Sequence, residues 1–208
     1  MVCFLFFKVD IMAELKFYYG CMNAGKSVNV IKTYEIYRRK RMNPVIIKPA
    51  IDDRHGKQEG WGFMTSKLIK EPLRAFYIKN MKEDLQKVGY DKIILVDEAQ
   101  FFSREDIIQL ANIVEQENVN IVAYGLKNDT NGQLFEGSKA LIEFADKIQE
   151  IEMVCEEPGC MNKASQHLRY IDGQLDKSQN TVAIEKGNIT YQSVCRKHWL
   201  EKKNYLNT

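Results

Sequence analysis

A glycine loop between a strand pattern and a helix pattern constrains this chain more than any other feature. Leu15–Tyr19 has the composition of a short β-strand, and Lys26–Arg39 has apolar residues at helical spacing. The residues between them fit G-x-x-x-x-G-K-[ST] at every fixed position: Gly20, Cys21, Met22, Asn23, Ala24, Gly25, Lys26 and Ser27. In such a P-loop the backbone amides surround a phosphate, Lys26 reaches the terminal phosphates and Ser27 offers its hydroxyl to magnesium. The loop therefore predicts binding of a nucleoside triphosphate with Mg²⁺, and the alternative is a glycine turn that happens to precede a lysine.

Strand and helix patterns alternate along the first 150 residues. Residues 45–47, Ile93–Val96 and 121–124 are apolar runs typical of strands, and Ser103 with Asp106 predicts the start of a helix. The unbroken run Ile93–Val96 indicates a strand that is buried on both faces, as in a parallel sheet. We therefore expect an α/β fold with a P-loop NTPase-type parallel sheet flanked by helices, and with ligands at the carboxyl ends of its strands.

Two acidic residues directly follow the buried run at 93–96. P-loop proteins need a carboxylate at the end of a neighbouring strand to hold the metal, and Asp97 has that position. Glu98 comes next, where a carboxylate could orient or deprotonate an attacking hydroxyl. On spacing alone, Glu98 could equally be a solvated charge at the end of a strand.

The last third of the chain changes character, since cysteines, glycines and asparagines replace the periodic apolar residues. Three of the five cysteines, Cys155, Cys160 and Cys195, lie in this part of the sequence, and His198 follows the last of them. Two close pairs joined by a long segment are similar to a structural zinc site of the Cys₃His kind, and the alternative is four unconnected residues. We predict an N-terminal extension at 1–11, a nucleotide-binding domain at 12–150 and a zinc-binding lid at 151–208.

Composition narrows the class of protein. The 208 residues are 45% hydrophobic with both charge signs interspersed, which is typical of a soluble globular chain. A formal charge of +2 gives no reason to expect a nucleic-acid partner. No apolar stretch approaches the roughly 18 residues that cross a bilayer, and the apolar start lacks the features of a signal peptide. Unpaired cysteines favour a reducing compartment, so we expect a cytoplasmic protein without a membrane partner.

Six segments, in order between about residue 12 and residue 202, resemble the type II thymidine kinase family, the family of cellular thymidine kinase 1. They are residues 20–27, Ile51-Asp52-Asp53-Arg54, Asp97-Glu98-Ala99-Gln100-Phe101-Phe102, Tyr124-Gly125-Leu126-Lys127-Asn128-Asp129, Leu134-Phe135-Glu136-Gly137-Ser138 and Tyr191-Gln192-Ser193-Val194-Cys195-Arg196-Lys197-His198. The resemblance implies transfer of a phosphoryl group from ATP to the 5′-hydroxyl of thymidine, which gives thymidine monophosphate.

The resemblance also implies roles for individual residues. Glu98 would be the general base, Gln100 would belong to the same motif and bind near the nucleotide, and Arg54 would lie near the phosphates. The thymidine pocket would include Met22, Phe101, Leu126, Phe135 and Tyr191, together with the closing loop Val182, Ala183, Ile184, Glu185 and Lys186. A homotetramer and feedback inhibition by thymidine triphosphate are further implications.

Three departures from the family pattern bear on specificity. Cys155 and Cys160 are separated by four residues where the family commonly has fewer, Thr130 replaces a common aromatic residue, and Glu185-Lys186 replace glycines. Two other functions stay open on the sequence. One is a nucleotide switch whose zinc element binds nucleic acid, although acidic residues dilute the basic ones there. The other is a kinase of another deoxynucleoside, such as deoxyuridine.

Overall fold

The structure of the chain is a computed structural model that describes residues 12–51, 57–58, 60–64, 72–178 and 188–205. Its elements are β1 (Leu15–Tyr19), α1 (Lys26–Arg39), β2 (Val45–Pro49), β3 (Lys57–Gln58), β4 (Trp61–Met64), β5 (Leu73–Ile78), α2 (Met81–Val88), β6 (Ile93–Val96), a short 3-10 helix (Ala99–Phe101), α3 (Arg104–Glu117), β7 (Asn120–Gly125), α4 (Glu136–Phe144), β8 (Lys147–Glu150), β9 (Gln166–Ile171), β10 (Gln174–Leu175), β11 (Ile189–Val194) and α5 (Arg196–Lys202). The strand–loop–helix order around residues 20–27 is therefore confirmed.

The main sheet has eight strands in the order β3-β4-β5-β2-β6-β7-β1-β8. All pairs from β5 to β8 are parallel, which confirms the predicted α/β fold. The β3-β4 and β4-β5 pairs are antiparallel, an edge that the sequence analysis did not include. The edge is anchored by Trp61, whose ring meets Phe76 of β5 edge-to-face at a centroid distance of 5.0 Å.

β6 lies at the centre of the core, because its side chains point alternately to two apolar layers. Ile94 and Val96 pack into the layer beneath α2, α3 and α4, whereas Ile93 and Leu95 pack into the layer beneath α1. All four side chains are fully buried, as the unbroken apolar run predicts. Burial of each such side chain contributes about 1.5–3 kcal/mol, so this strand fixes the position of the acidic residues that follow it.

The predicted start of α3 is a capping box. The Ser103 hydroxyl accepts a hydrogen bond from the Asp106 amide at 3.2 Å, and the Asp106 carboxylate accepts one from the Ser103 amide at 3.1 Å. These two bonds satisfy amides that have no partner within the helix. The turn between β6 and α3 is therefore closely defined by the local sequence.

A second, three-stranded antiparallel sheet in the order β10-β9-β11 follows β8. It has a small core of its own, formed by Cys155, Leu168, Val194, Cys195 and Trp199. β8 ends at Glu150, where the composition of the chain changes, and the domain limits at 12–150 and 151–208 stay a prediction. No helix in the described part of the chain is both long enough and apolar enough to span a bilayer.

Candidate active site

The glycine loop connects β1 to α1 in the conformation that its glycines permit. Gly25 has a φ of 81°, in the left-handed region that side chains with a Cβ disfavour, and it directly precedes the first residue of α1. The ammonium group of Lys26 donates hydrogen bonds to the carbonyl oxygens of Cys21, at 2.7 Å, and Gly20, at 3.4 Å. Lys26 therefore lies across the loop, and Ser27 occupies the first turn of α1.

The environment of Lys26 links the loop to the acidic residues after β6. Burial lowers the pKa of Lys26, while the negative charges of Glu98 and Asp97 act in the opposite direction. Charges in a partly desolvated site interact over longer distances than in water, because little water screens them. The structure thus brings together Lys26, Asp97 and Glu98, which the sequence places more than 70 positions apart.

Glu98 begins a strained turn at the carboxyl end of β6. Its φ of 54° lies in the left-handed region, which costs a residue with a side chain about 1–2 kcal/mol. The Gln100 amide group donates a hydrogen bond to a Glu98 carboxylate oxygen at 2.6 Å and accepts one from the Leu126 amide at 3.0 Å. Gln100 therefore fixes Glu98 to the segment that follows β7, and backbone strain of this kind is common at functional sites.

Two aromatic rings pack together in the segments that follow β6 and β7. The rings of Phe101 and Phe135 meet edge-to-face at a centroid distance of 5.6 Å, and the buried Leu126 belongs to the loop after β7. The Ser138 hydroxyl donates a hydrogen bond to the Leu126 carbonyl at 2.5 Å. At Gly137 a Cβ atom would lie 2.6 Å from the carbonyl oxygens of two residues in the 99–102 turn, so only glycine allows α4 to approach this closely.

The second sheet is attached to the glycine loop through β11. The Ser193 hydroxyl donates a hydrogen bond to the Met22 carbonyl at 2.5 Å, and the Asn23 side chain donates one to the Tyr191 carbonyl at 3.5 Å. Met22 and Tyr191, two of the residues implied for the nucleoside pocket, therefore lie on facing segments. This contact gives the second sheet a fixed position over the loop.

His167 is a buried titratable residue of the second sheet. It is 4% exposed on β9, and its ring meets Tyr191 edge-to-face at a centroid distance of 6.2 Å. Burial lowers the pKa of His167 to about 4, and the positive charges of Lys26 and Lys203 add to this effect. His167 is therefore neutral at neutral pH. No motif in the sequence singles it out.

The predicted metal ligands converge at the base of the second sheet. One ligand atom from each of Cys155, Cys160, Cys195 and His198 lies within 4.8 Å of the others. The Nδ1 atom of His198 is 3.4 Å from the sulfur atoms of both Cys155 and Cys195. Three thiols and one imidazole are the donor set of a closed tetrahedral zinc site, so the residues present fit this metal. The wider spacing of Cys155 and Cys160 does not prevent the convergence.

Several residues implied for the site lie outside the described part of the chain. These are Arg54 and the whole closing loop, Val182, Ala183, Ile184, Glu185 and Lys186. Their roles stay predictions.

Comparison with known proteins decides the family. A sequence profile described as thymidine kinase matches residues 13–199. The thymidine kinase of Shewanella oneidensis is 36% identical over 196 residues, which are 91% of this chain and 98% of the relative. The chain belongs to the thymidine kinase family. The thymidine kinases of Vibrio vulnificus and Haemophilus influenzae are each 38% identical, cover 91% and 92% of this chain, and are themselves covered to 98%.

Structural comparison is less informative than sequence comparison for this thymidine kinase family member. A solved structure of Bacteroides Pif1 bound to ssDNA has 15% sequence identity and a TM-score of 0.35, over 66% of this chain and 38% of that chain. That likeness is too distant to bear on function.

Thr130 is held in place by a residue of the second part of the chain, Trp199 of α5. It is buried, and its carbonyl oxygen accepts a hydrogen bond from the Trp199 indole at 3.3 Å. The Trp199 ring also covers Gly132, where a Cβ would lie 3.1 Å from the indole. In this thymidine kinase family member, α5 therefore packs directly on the 129–132 turn.

Proposed function

We propose that this chain transfers the γ-phosphoryl group of ATP to the 5′-hydroxyl of thymidine, giving thymidine monophosphate. Membership of the thymidine kinase family supports this reaction. The geometric observation that carries it is the Glu98 carboxylate, which Gln100 holds at 2.6 Å and whose negative charge acts on the P-loop lysine. A carboxylate fixed next to a phosphate-binding lysine is suited to accept the proton of an attacking hydroxyl.

The donor half of the site would hold the triphosphate of ATP. The amides of residues 20–27 and the start of α1 supply positive potential, and Lys26 would move from its loop carbonyls to the terminal phosphates. Arg54 would add a second positive charge. The Ser27 hydroxyl and the Asp97 carboxylate are hard oxygen donors, which Mg²⁺ prefers in combination with phosphate oxygens. The bound ion would neutralise charge on the transferring group.

The acceptor half would hold the nucleoside with its 5′-hydroxyl near Glu98. Phe101 and Phe135, whose rings meet edge-to-face, would form an apolar wall for a flat base together with Leu126, and Met22 and Tyr191 would add contacts from the loop and from β11. The segment 182–186 would close over the base with backbone hydrogen bonds. A pocket that recognises a base through such bonds rejects other bases, because its own polar groups would then stay unpaired.

The zinc cluster would have a structural role. The small sheet has few apolar residues of its own, so binding of Zn²⁺ by Cys155, Cys160, Cys195 and His198 would contribute directly to its folding. The contacts of Ser193 and Trp199 would then transmit this order to the P-loop and to the 129–132 turn.

The family also suggests the setting of the enzyme. We expect a cytoplasmic homotetramer that is inhibited by thymidine triphosphate and has neither a nucleic-acid nor a membrane partner.

The experiment that tests the function is incubation of the purified full chain with γ-labelled ATP, Mg²⁺ and a panel of nucleosides. We expect label in thymidine, with less in deoxyuridine and none in cytidine or purine nucleosides. Higher kcat/KM for deoxyuridine would identify a kinase of another deoxynucleoside. ATP binding without transfer to any nucleoside would favour a nucleotide switch.

A further inference from the structure

Lys48 is a buried cation at the carboxyl end of β2. Its ammonium nitrogen lies 3.2 Å from a carboxylate oxygen of Asp97, and both side chains are only 4% exposed. The Asp97 amide donates a hydrogen bond to the Ile47 carbonyl at 3.0 Å, so the backbones of the two partners are fixed side by side. The ammonium group also lies 5.9 Å from the centre of the Tyr77 ring on β5.

Stability alone does not account for an ion pair at this position. Removal of two charges from water costs several kcal/mol per ion, and apolar residues of similar size often serve a core as well or better. The neighbouring positions on β2, Ile46 and Ile47, show that the sequence supplies such residues on this strand. A buried pair whose carboxylate directly precedes Glu98 is therefore better explained by what it does to Asp97.

A carboxylate that binds a metal must be held in one orientation before the metal arrives. Lys48 belongs to β2, the strand that pairs with β6, and its ammonium group contacts one carboxylate oxygen of Asp97. We propose that Lys48 is a positioning residue, which fixes the orientation of the Asp97 carboxylate so that it can accept the magnesium ion of the donor nucleotide. This inference rests on the proposed function, because it assigns Asp97 to the metal of that reaction.

The geometry also separates the tasks of two lysines. The ammonium group of Lys26 lies against carbonyl oxygens of the glycine loop, whereas that of Lys48 lies within the sheet against Asp97. Lys48 balances the charge of Asp97 from inside the protein.

The test is the affinity of the full chain for Mn²⁺, a paramagnetic substitute for Mg²⁺, measured by electron paramagnetic resonance in the presence of a non-hydrolysable ATP analogue. Loss of a residue that orients a metal ligand typically weakens metal binding by about 10- to 100-fold, and we expect this loss for Lys48→Met. Lys48→Arg, which keeps the cation, should bind Mn²⁺ more tightly than Lys48→Met. Equal Mn²⁺ affinity in the parent and Lys48→Met would overturn the proposal. Equal weakening of Mn²⁺ binding in Lys48→Met and Lys48→Arg would also overturn it.

Kinetics give a second readout. If Lys48 acts through the metal ligand, the kcat of Lys48→Met should recover as Mg²⁺ is raised, while the KM for thymidine stays near that of the parent. A kcat that is low at every Mg²⁺ concentration would indicate a general packing defect and contradict the proposal. Arg104→Met is the matched control, since it removes the cation of an exposed pair, Arg104–Glu143, with the same distance of 3.2 Å. It should leave Mn²⁺ affinity and kcat unchanged.

A variant that loses only one member of a buried pair can fail to fold. If circular dichroism shows this for Lys48→Met, the comparison is made between Asp97→Asn and the double variant Lys48→Met/Asp97→Asn. Because Lys48 acts through Asp97, the two should bind Mn²⁺ equally, and a further loss in the double variant would overturn the proposal. A parent chain that binds Mn²⁺ and nucleotide but transfers no label to thymidine would contradict the proposed function alone.

Discussion

The amide group of Gln100 donates a hydrogen bond of 2.6 Å to the carboxylate of Glu98, and its oxygen accepts one of 3.0 Å from the Leu126 amide. One buried side chain therefore connects the acidic turn after β6 with the segment after β7. Glu98 has a left-handed backbone conformation, and Gln100 holds its carboxylate in place. The hydrogen bond between Gln100 and Glu98 leads to a specific prediction for a variant of Gln100.

Gln100→Leu should lower kcat and leave the KM for ATP little changed. The variant loses the bond that orients Glu98, and a positioned general base contributes about 10²- to 10⁴-fold to rate, so we expect a loss toward the lower end of that range. Steady-state kinetics with ATP and thymidine measure this. Gln133→Leu, in an exposed turn, is the control. An unchanged kcat in Gln100→Leu would show that the bond has no role in orienting Glu98.

Lys26→Ala should abolish turnover while the fold survives. The ammonium group donates hydrogen bonds to the carbonyls of Cys21 and Gly20 and is partly desolvated, so its loss removes phosphate binding at little cost in packing. Circular dichroism and the labelled-ATP assay measure the two properties separately. Lys32→Ala, on an exposed face of the same helix, should retain activity. A collapsed circular dichroism spectrum for Lys26→Ala would contradict the assignment of Lys26 to phosphate binding alone.

Cys195→Ser should release zinc and destabilise the second sheet. Cys195 is one of four converging ligands and also belongs to the small core with Leu168 and Trp199. Metal analysis of the parent should find about one zinc ion per chain, as expected for a single closed Cys₃His site. Thermal unfolding should begin at a lower temperature in the variant. Cys21→Ser, which lies outside the cluster, should keep its zinc. A Cys195→Ser chain that retains the metal would refute the ligand set.

Stability should depend on pH through His167. Its pKa is lowered by burial from the usual 6.5 to about 4, so between these values the unfolded chain binds a proton that the folded chain does not. Stability therefore falls as pH drops through this window, by roughly 3 kcal/mol in total, because each pKa unit corresponds to about 1.4 kcal/mol. Denaturant unfolding at several pH values measures it. In His167→Gln the fall in stability over this pH range should be smaller by this amount. Parallel curves of stability against pH for the parent and the variant would show that the pKa of His167 does not change on unfolding.

The parts of the fold that follow from local pattern were predictable. The run Ile93–Val96 specifies a strand buried on both faces, Ser103 with Asp106 specifies a helix start, and residues 20–27 specify a loop between a strand and a helix. Each of these signals lies within a few residues of the element it defines. The convergence of Cys155, Cys160, Cys195 and His198 was also anticipated, because metal ligands come in recognisable close pairs.

The parts that depend on distant contacts were not predictable. Lys48 is one polar residue in an apolar strand, and only the pairing of β2 with β6 brings it to Asp97. His167 carries no motif, and its burial results from the packing of β9 and β11 against the glycine loop. The antiparallel edge formed by β3 and β4 likewise depends on pairing with β5, since its strands are too short for a period to be recognised. Such features follow from tertiary structure, which a single sequence does not display.

The central claim is that Glu98 activates a nucleoside hydroxyl toward ATP held by the P-loop. Transfer of the γ-label from ATP to thymidine should be rapid with the parent chain. With Glu98→Gln, which keeps the size of the side chain, it should fall by at least about 100-fold, while ATP affinity stays unchanged. Equal rates of transfer by the parent and the variant would contradict the account.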